Sequence, residues 1–87
     1  MKPYKLLVAY EVVEFLSNVS RKEERLIHSR FRQIRDFPAN YSEFSELDNN
    51  GRRIETSILG KYAIQYWIDD ADQHVKIIDI QLADGDL

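Results

Sequence analysis

Five basic or ionisable side chains recur along one predicted helix at spacings of four, three, four and three residues. They are Arg21, Arg25, His28, Arg32 and Arg35. Since a helix turns by 100° per residue, these spacings place all five side chains on one face. Guanidinium groups bind carboxylates and phosphates through paired hydrogen bonds. This basic stripe therefore suits an acidic protein segment or a phosphate backbone; the alternative interpretation is a solvated face without a ligand.

The single tryptophan, Trp67, is the other side chain that suggests a contact surface. It lies in a segment whose apolar residues alternate with period two, which is typical of a half-buried strand. Tryptophan is frequent among the residues that dominate binding energy at protein interfaces. Trp67 is therefore predicted either to contact a partner or to pack beneath a loop or tail.

Metal and nucleophile chemistry is not indicated by the sequence. The chain has no cysteine, which excludes disulfides and thiolate-bound zinc and favours a reducing compartment. His28 and His74 have no second ligand at a metal-binding spacing, and the Asp69, Asp70 and Asp72 turn lacks the glycine and glutamate of a calcium loop. No Gly-x-Ser-x-Gly or glycine-rich phosphate loop is present. We therefore expect neither a metal nor a cofactor.

The secondary structure that positions these side chains is predicted from periodicity and capping signals. Ser20 and Glu23 form a capping box at the start of the longer helix, and Pro38 prevents its continuation. The predicted strands span residues 4–10, 53–59, 62–68 and 75–82, and the predicted helices span residues 11–18 and 21–36. Segment 39–51 is predicted as a loop that contains, at most, one turn of helix. The fold class is α+β: one domain over residues 1–87, with a helical hairpin covering one face of an antiparallel-rich sheet.

Composition and charge limit the class of protein. With 87 residues, 44% of them hydrophobic and 31% charged, the chain is expected to form one globular core. No apolar run approaches the ~20 residues that span a bilayer, and no signal peptide is evident, so we expect a cytoplasmic protein with no membrane contact. The net charge of −3 combines a basic N-terminal part with an acidic remainder. Such an asymmetry concerns partner surfaces rather than the fold.

The sequence allows two registers for the pairing of predicted strands 53–59 and 62–68. A two-residue loop at Gly60 and Lys61 pairs Leu59 with Tyr62 and turns Glu55 toward the core. A three-residue loop pairs Ile58 with Tyr62 and turns Glu55 outward. We prefer the second solution because burial of an unpaired carboxylate is costly. The predicted core face of the sheet is then Ile54, Ile58, Tyr62, Ile64, Tyr66, Ile78, Ile80 and Leu82, and the predicted open face is Glu55, Ser57, Gln65, Trp67, Ile77, Asp79 and Gln81.

This order of elements, with the Gly-Lys-Tyr-Ala-Ile-Gln-Tyr segment at 60–66, resembles the RelE/ParE superfamily. These proteins are the toxins of type II toxin–antitoxin pairs, which include plasmid stabilization systems. The likeness extends over nearly the whole chain and includes Gly51-Arg52 and Val75 to Ile80. It implies a cognate antitoxin as a partner, and ribosome-bound mRNA or DNA gyrase as cellular targets.

The resemblance does not extend to the basic residues of the ribosome-dependent nucleases in this superfamily. Ala63 stands where those enzymes carry a basic residue, and the preceding strand offers Glu55 and Ser57. Residues 81–87 end in acidic side chains, whereas positive charge is needed to stabilise a developing phosphorane. We therefore expect a protein that acts by binding. For the alternative, a divergent endoribonuclease, the basic candidates are Arg52, Arg53 and Lys61. A non-toxic interaction module that keeps the fold is a further alternative.

Overall fold

The chain forms one strand, two helices and then four more strands. The computed structural model describes residues 3–83. Its helices are α1 (Tyr10–Leu16) and α2 (Arg21–Asp36), followed by a 3-10 turn at Pro38–Asn40. Its strands are β1 (Lys5–Val8), β2 (Phe44–Leu47), β3 (Arg53–Leu59), β4 (Tyr62–Asp69) and β5 (His74–Leu82). No helix in the described part of the chain is long and apolar enough to cross a membrane.

The five strands form one mixed sheet in the order β1-β5-β4-β3-β2. β1 is parallel to β5, and the other neighbours are antiparallel. The predicted α+β class is therefore confirmed. β2 was not predicted from the sequence; it is a short edge strand within the predicted loop, with all four of its residues exposed. Phe44 pairs with Thr56 of β3, so this strand depends on a distant partner rather than on its own periodicity.

The longer helix begins and ends where its capping signals predict. The Ser20 hydroxyl accepts a hydrogen bond from the Glu23 N–H at 3.1 Å, and the helix stops before Pro38. Its buried side chains are Ile27, Phe31 and Ile34. Leu26 follows the same apolar spacing in the sequence, which predicts that it too is buried, but it is 54% exposed.

The β3–β4 hairpin adopts the two-residue loop, so the register that we preferred is wrong. Leu59 pairs with Tyr62, and Gly60 has a φ of 57°, which glycine adopts without steric cost. Glu55 consequently faces the core side and is buried. Its carboxylate is not unpaired, however, because the Ser42 hydroxyl donates to it at 2.6 Å and the Ser45 hydroxyl also donates to it. The desolvation cost that argued against this register is thus offset by partners from outside the hairpin.

A β-bulge between β4 and β5 decides which β5 residues enter the core. Gln65 pairs with Asp79, but Tyr66 pairs with Ile77, so one residue of β5 is extra. Val75, Ile77 and Ile80 are buried against the helices. The predictions that Ile54, Ile58 and Ile78 lie on the core face, and that Glu55, Ser57 and Ile77 lie on the open face, are therefore wrong. The core face does carry the other predicted residues, Tyr62, Ile64, Tyr66, Ile80 and Leu82, and Leu82 is 52% exposed at the end of β5.

Candidate partner-binding surfaces

The basic stripe lies on the outer face of α2. Arg21, Arg25, His28 and Arg32 are exposed, and together with Glu24 these four line a shallow groove of about 630 Å³. Within residues 3–83, no ion pair involves Arg21, Arg25 or Arg32. Three guanidinium groups are thus available to an external anionic group.

The other two members of the basic stripe have acidic neighbours on the same helix. His28 Nε2 lies 3.6 Å from Glu24 Oε2. Arg35 Nε donates to Asp36 Oδ1 at 2.9 Å, and this hydrogen bond holds the pKa of the Asp36 carboxyl below its ordinary value. The stripe is therefore most strongly cationic in its N-terminal and central part, from Arg21 to Arg32.

Arg30, a basic residue of α2 outside the stripe, points to the opposite side and binds β3. Its Nη1 donates to Ser57 Oγ at 2.8 Å and to the Ile58 carbonyl at 3.2 Å. Its guanidinium also lies 5.1 Å from the ring centroid of Tyr41. Its place outside the stripe could be foreseen from helical spacing, but its partners could not be, because Ser57 was predicted on the wrong face.

Trp67 lies on the sheet face that the helices do not cover, as predicted, and it is half-buried. Two cations lie over or beside its ring: the Arg52 guanidinium carbon is 5.2 Å and the Lys76 Nζ is 4.7 Å from the ring centroid. Lys76 pairs with Trp67 across the strands because of the β-bulge. The expectation that this open face carries no lysine or arginine is therefore corrected.

The three weak catalytic candidates do not converge on one site. Each has an acidic partner: Arg52 with Asp48 at 2.8 Å, Arg53 with Glu55 at 3.1 Å, and Lys61 with Glu23 at 3.3 Å. Arg52 and Arg53 lie at the start of β3, whereas Lys61 lies in the turn after its end. The length of this strand separates the two positions by roughly 20 Å. The acidic residues at 84–87 lie outside the described residues.

Hydrogen bonds and ion pairs lower the pKa of two of these acidic partners, Asp48 and Glu23. Burial acts to raise the pKa of Asp48, but hydrogen bonds from the Arg52 backbone and side chain and from the Asn50 backbone hold it below the ordinary value. A hydrogen bond from the Tyr62 hydroxyl, 2.7 Å long, likewise lowers the pKa of Glu23, and Lys61 adds to this effect. Neither carboxylate is thereby poised to act as a general base near neutral pH.

Comparisons with known proteins identify the fold. No protein-family model and no curated protein sequence matches the chain. Among solved structures, a chain of the archaeal RelE–RelB complex from Pyrococcus horikoshii superposes with a TM-score of 0.82 at 15% identity, over 95% of this chain and 98% of that one. The toxin–antitoxin complex RelBE2 from Mycobacterium tuberculosis gives 0.79 at 17% identity, over 94% and 93%.

A third structure is a mutant of the E. coli toxin RelE in the free state, with a TM-score of 0.72 at 14% identity, over 98% of this chain and 88% of that one. Each superposition covers most of this chain and of the compared chain, so it includes both the helical hairpin and the sheet. Identities of 14–17% do not transfer the roles of individual residues to this chain. The TM-scores of 0.72–0.82 show that the architecture is shared. The chain therefore has the fold of the RelE toxins.

Proposed function

We propose that this chain is the toxin component of a type II toxin–antitoxin pair, that it acts in the cytoplasm by binding a macromolecular target, and that a cognate antitoxin neutralises it. The observation that carries the proposal is the full-length match to structures described as RelE toxins, two of them complexes with an antitoxin. Ribosome-bound mRNA and DNA gyrase are the targets that the family resemblance implies.

The basic stripe on α2 is the surface that we assign to the antitoxin. Arg21, Arg25 and Arg32 are exposed, project in one direction and have no acidic partner within residues 3–83. Opposite charges across an interface accelerate association and fix its orientation. An acidic antitoxin segment that lies along the helix would pair with this row of guanidinium groups.

The proposed function is tested by expression of the chain alone under an inducible promoter. We expect growth arrest, and we expect the arrest to be relieved by co-expression of the open reading frame next to the gene. The matched control is Phe31→Asp, which places a carboxylate at a fully buried core position and prevents folding. Normal growth with a soluble, folded wild-type protein would contradict the proposal and favour a non-toxic interaction module.

Reversal of two charges in the basic stripe tests the antitoxin surface. The double variant Arg25→Glu/Arg32→Glu should bind the antitoxin about tenfold or more weakly, with a flatter dependence on salt, because two attractive contacts become repulsive. The matched control is Lys5→Glu/Lys22→Glu, which makes the same change in net charge at exposed positions off the stripe. The measurement is titration at two ionic strengths.

Equal affinity and equal salt dependence for the stripe variant and the wild type would leave the stripe as a solvated face. The fluorescence of Trp67, the only tryptophan, then distinguishes the remaining surfaces. A spectral shift on binding would assign the antitoxin to the open face of the sheet, and an unchanged spectrum would assign it elsewhere.

The alternative function, a ribosome-dependent endoribonuclease, is distinguished by its product. Since Arg52, Arg53 and Lys61 are paired with carboxylates and do not lie together, no cluster of unpaired basic groups among them supports cleavage. The decisive measurement is the mapping of mRNA ends on translating ribosomes in the presence of the purified protein. If the protein cleaved mRNA in a codon-dependent manner, and Arg52→Ala or Arg53→Ala abolished this cleavage, the protein would act as an endoribonuclease and not by binding alone.

A further inference from the structure

Three potential metal ligands lie together at the turn that joins β4 to β5. One ligand atom from each of Asp69, Asp72 and His74 lies within 4.8 Å of the other two. Asp69 and His74 meet as cross-strand partners, and the Asp72 N–H donates to Asp69 Oδ1 at 3.3 Å, which folds the turn back onto the strand ends. Residue spacing alone does not show these ligands of His74, because the pairing of Asp69 with His74 depends on the register of the two strands.

His74 supplies an observation that is independent of the carboxylates. Its Nδ1 atom is buried and has no hydrogen-bond partner among the described residues. Buried polar atoms in folded proteins are nearly always paired, so each exception needs an explanation. A neutral imidazole nitrogen is also the commonest protein ligand for transition metals. An ion bound at Nδ1 would give this atom the polar partner that it otherwise lacks.

The carboxylates are placed to complete such a site. The Asp69 side chain is only 12% exposed, and its Oδ2 lies 3.5 Å from the Nζ of Lys76, whose side chain is one-third exposed. Asp72 is exposed, so an ion can reach the cluster from the solvent side. The two aspartates bring a double negative charge, and a single ammonium group offsets only half of it.

We propose that Asp69, Asp72 and His74 bind a divalent transition-metal ion such as zinc or nickel. One ring nitrogen with two carboxylate oxygens is a donor set that these ions accept, whereas magnesium and calcium are bound mainly by oxygen. The bound ion links the last residue of β4 to the first residue of β5 and fixes the turn between them. This site does not depend on the toxin function proposed above.

The test is a titration of the full-length, metal-stripped protein with zinc chloride by calorimetry. We expect saturable binding of one ion, and we expect both His74→Gln and Asp72→Asn to weaken it by about tenfold or more, since even indirect supports of a metal site contribute about that much. The matched control is His28→Gln, which removes the other histidine, beside Glu24 on α2, and should leave the affinity unchanged. Nickel chloride should quench Trp67, which lies on the same sheet face two residues before Asp69.

Two results would overturn this site: no saturable zinc binding to the wild type at millimolar concentration, or the same affinity in Asp72→Asn and His74→Gln as in the wild type. Asp72 is exposed, so its variant is expected to fold even where the His74 variant is destabilised. Equally tight binding of magnesium chloride would overturn the assignment to a transition metal. If only His28→Gln lost zinc affinity, the zinc site would lie at His28 on α2 and not at the β4–β5 turn.

Discussion

Replacement of Ile77 by alanine should lower the free energy of unfolding by about 2–5 kcal/mol, because it removes a fully buried side chain from the core. Ile77 is 1% exposed and lies opposite Tyr66 on β4. A domain of this length has a total stability of about 4–13 kcal/mol. The loss is therefore a large share of the whole and should be plain in equilibrium denaturation with guanidinium chloride.

The matched control for this prediction is Ile78→Ala, the same substitution one residue later. Ile78 is only half-buried and has no direct cross-strand partner because of the β-bulge. Its replacement should therefore cost clearly less than that of Ile77. Ile64→Ala, at a fully buried position of β4, should cost as much as Ile77→Ala. If Ile78→Ala proved the more damaging of the two β5 variants, the two strands would pair without the bulge and the faces of β5 would be reversed.

Replacement of Arg30 by methionine should lower the free energy of unfolding by about 2–4 kcal/mol, the second large effect that we expect. The substitution removes two charge-assisted hydrogen bonds to β3 and leaves the Ser57 hydroxyl, which is fully buried, without its donor. Hydrogen bonds to charged groups contribute about 1.5–3 kcal/mol, and an unpaired buried polar atom carries a penalty of its own. Methionine keeps most of the volume of the aliphatic chain.

The matched control is Arg32→Met, two residues further along the same helix. Arg32 is exposed and has no ion pair within residues 3–83, so its replacement should change the stability by no more than about 0.5 kcal/mol. A double variant, Arg30→Met/Ser57→Ala, should lose less than the sum of the two single variants because they share one hydrogen bond. Equal losses for Arg30→Met and Arg32→Met would show that Arg30 does not stabilise the sheet.

Features that depend on short-range signals could be predicted from the amino-acid sequence alone. The Ser20 N-cap and the proline at 38 set the limits of α2, and the four-and-three spacing set the basic stripe on its outer face. The reciprocal half of the predicted capping box is replaced, because the Glu23 carboxylate binds Tyr62 and Lys61. Period-two alternation located β4, and the predicted strands 53–59 and 75–82 correspond to β3 and β5. These features depend on backbone hydrogen bonding and side-chain direction within a few residues, so neighbouring residues suffice to predict them. The same signals carried the resemblance that the structural comparisons confirm for the fold.

The face that each strand turns to the core depends on tertiary contacts. Glu55 is buried because Ser42 and Ser45 donate to it, and these partners belong to a segment that was predicted as a loop. A single bulge places Ile77 inside and Lys76 beside Trp67, and the register of the same strands brings His74 to Asp69. Since side chains alternate along a strand, a shift of one residue exchanges the two faces. The free energy that selects the register comes from contacts between residues that are far apart in the sequence, and local periodicity carries no information about such contacts.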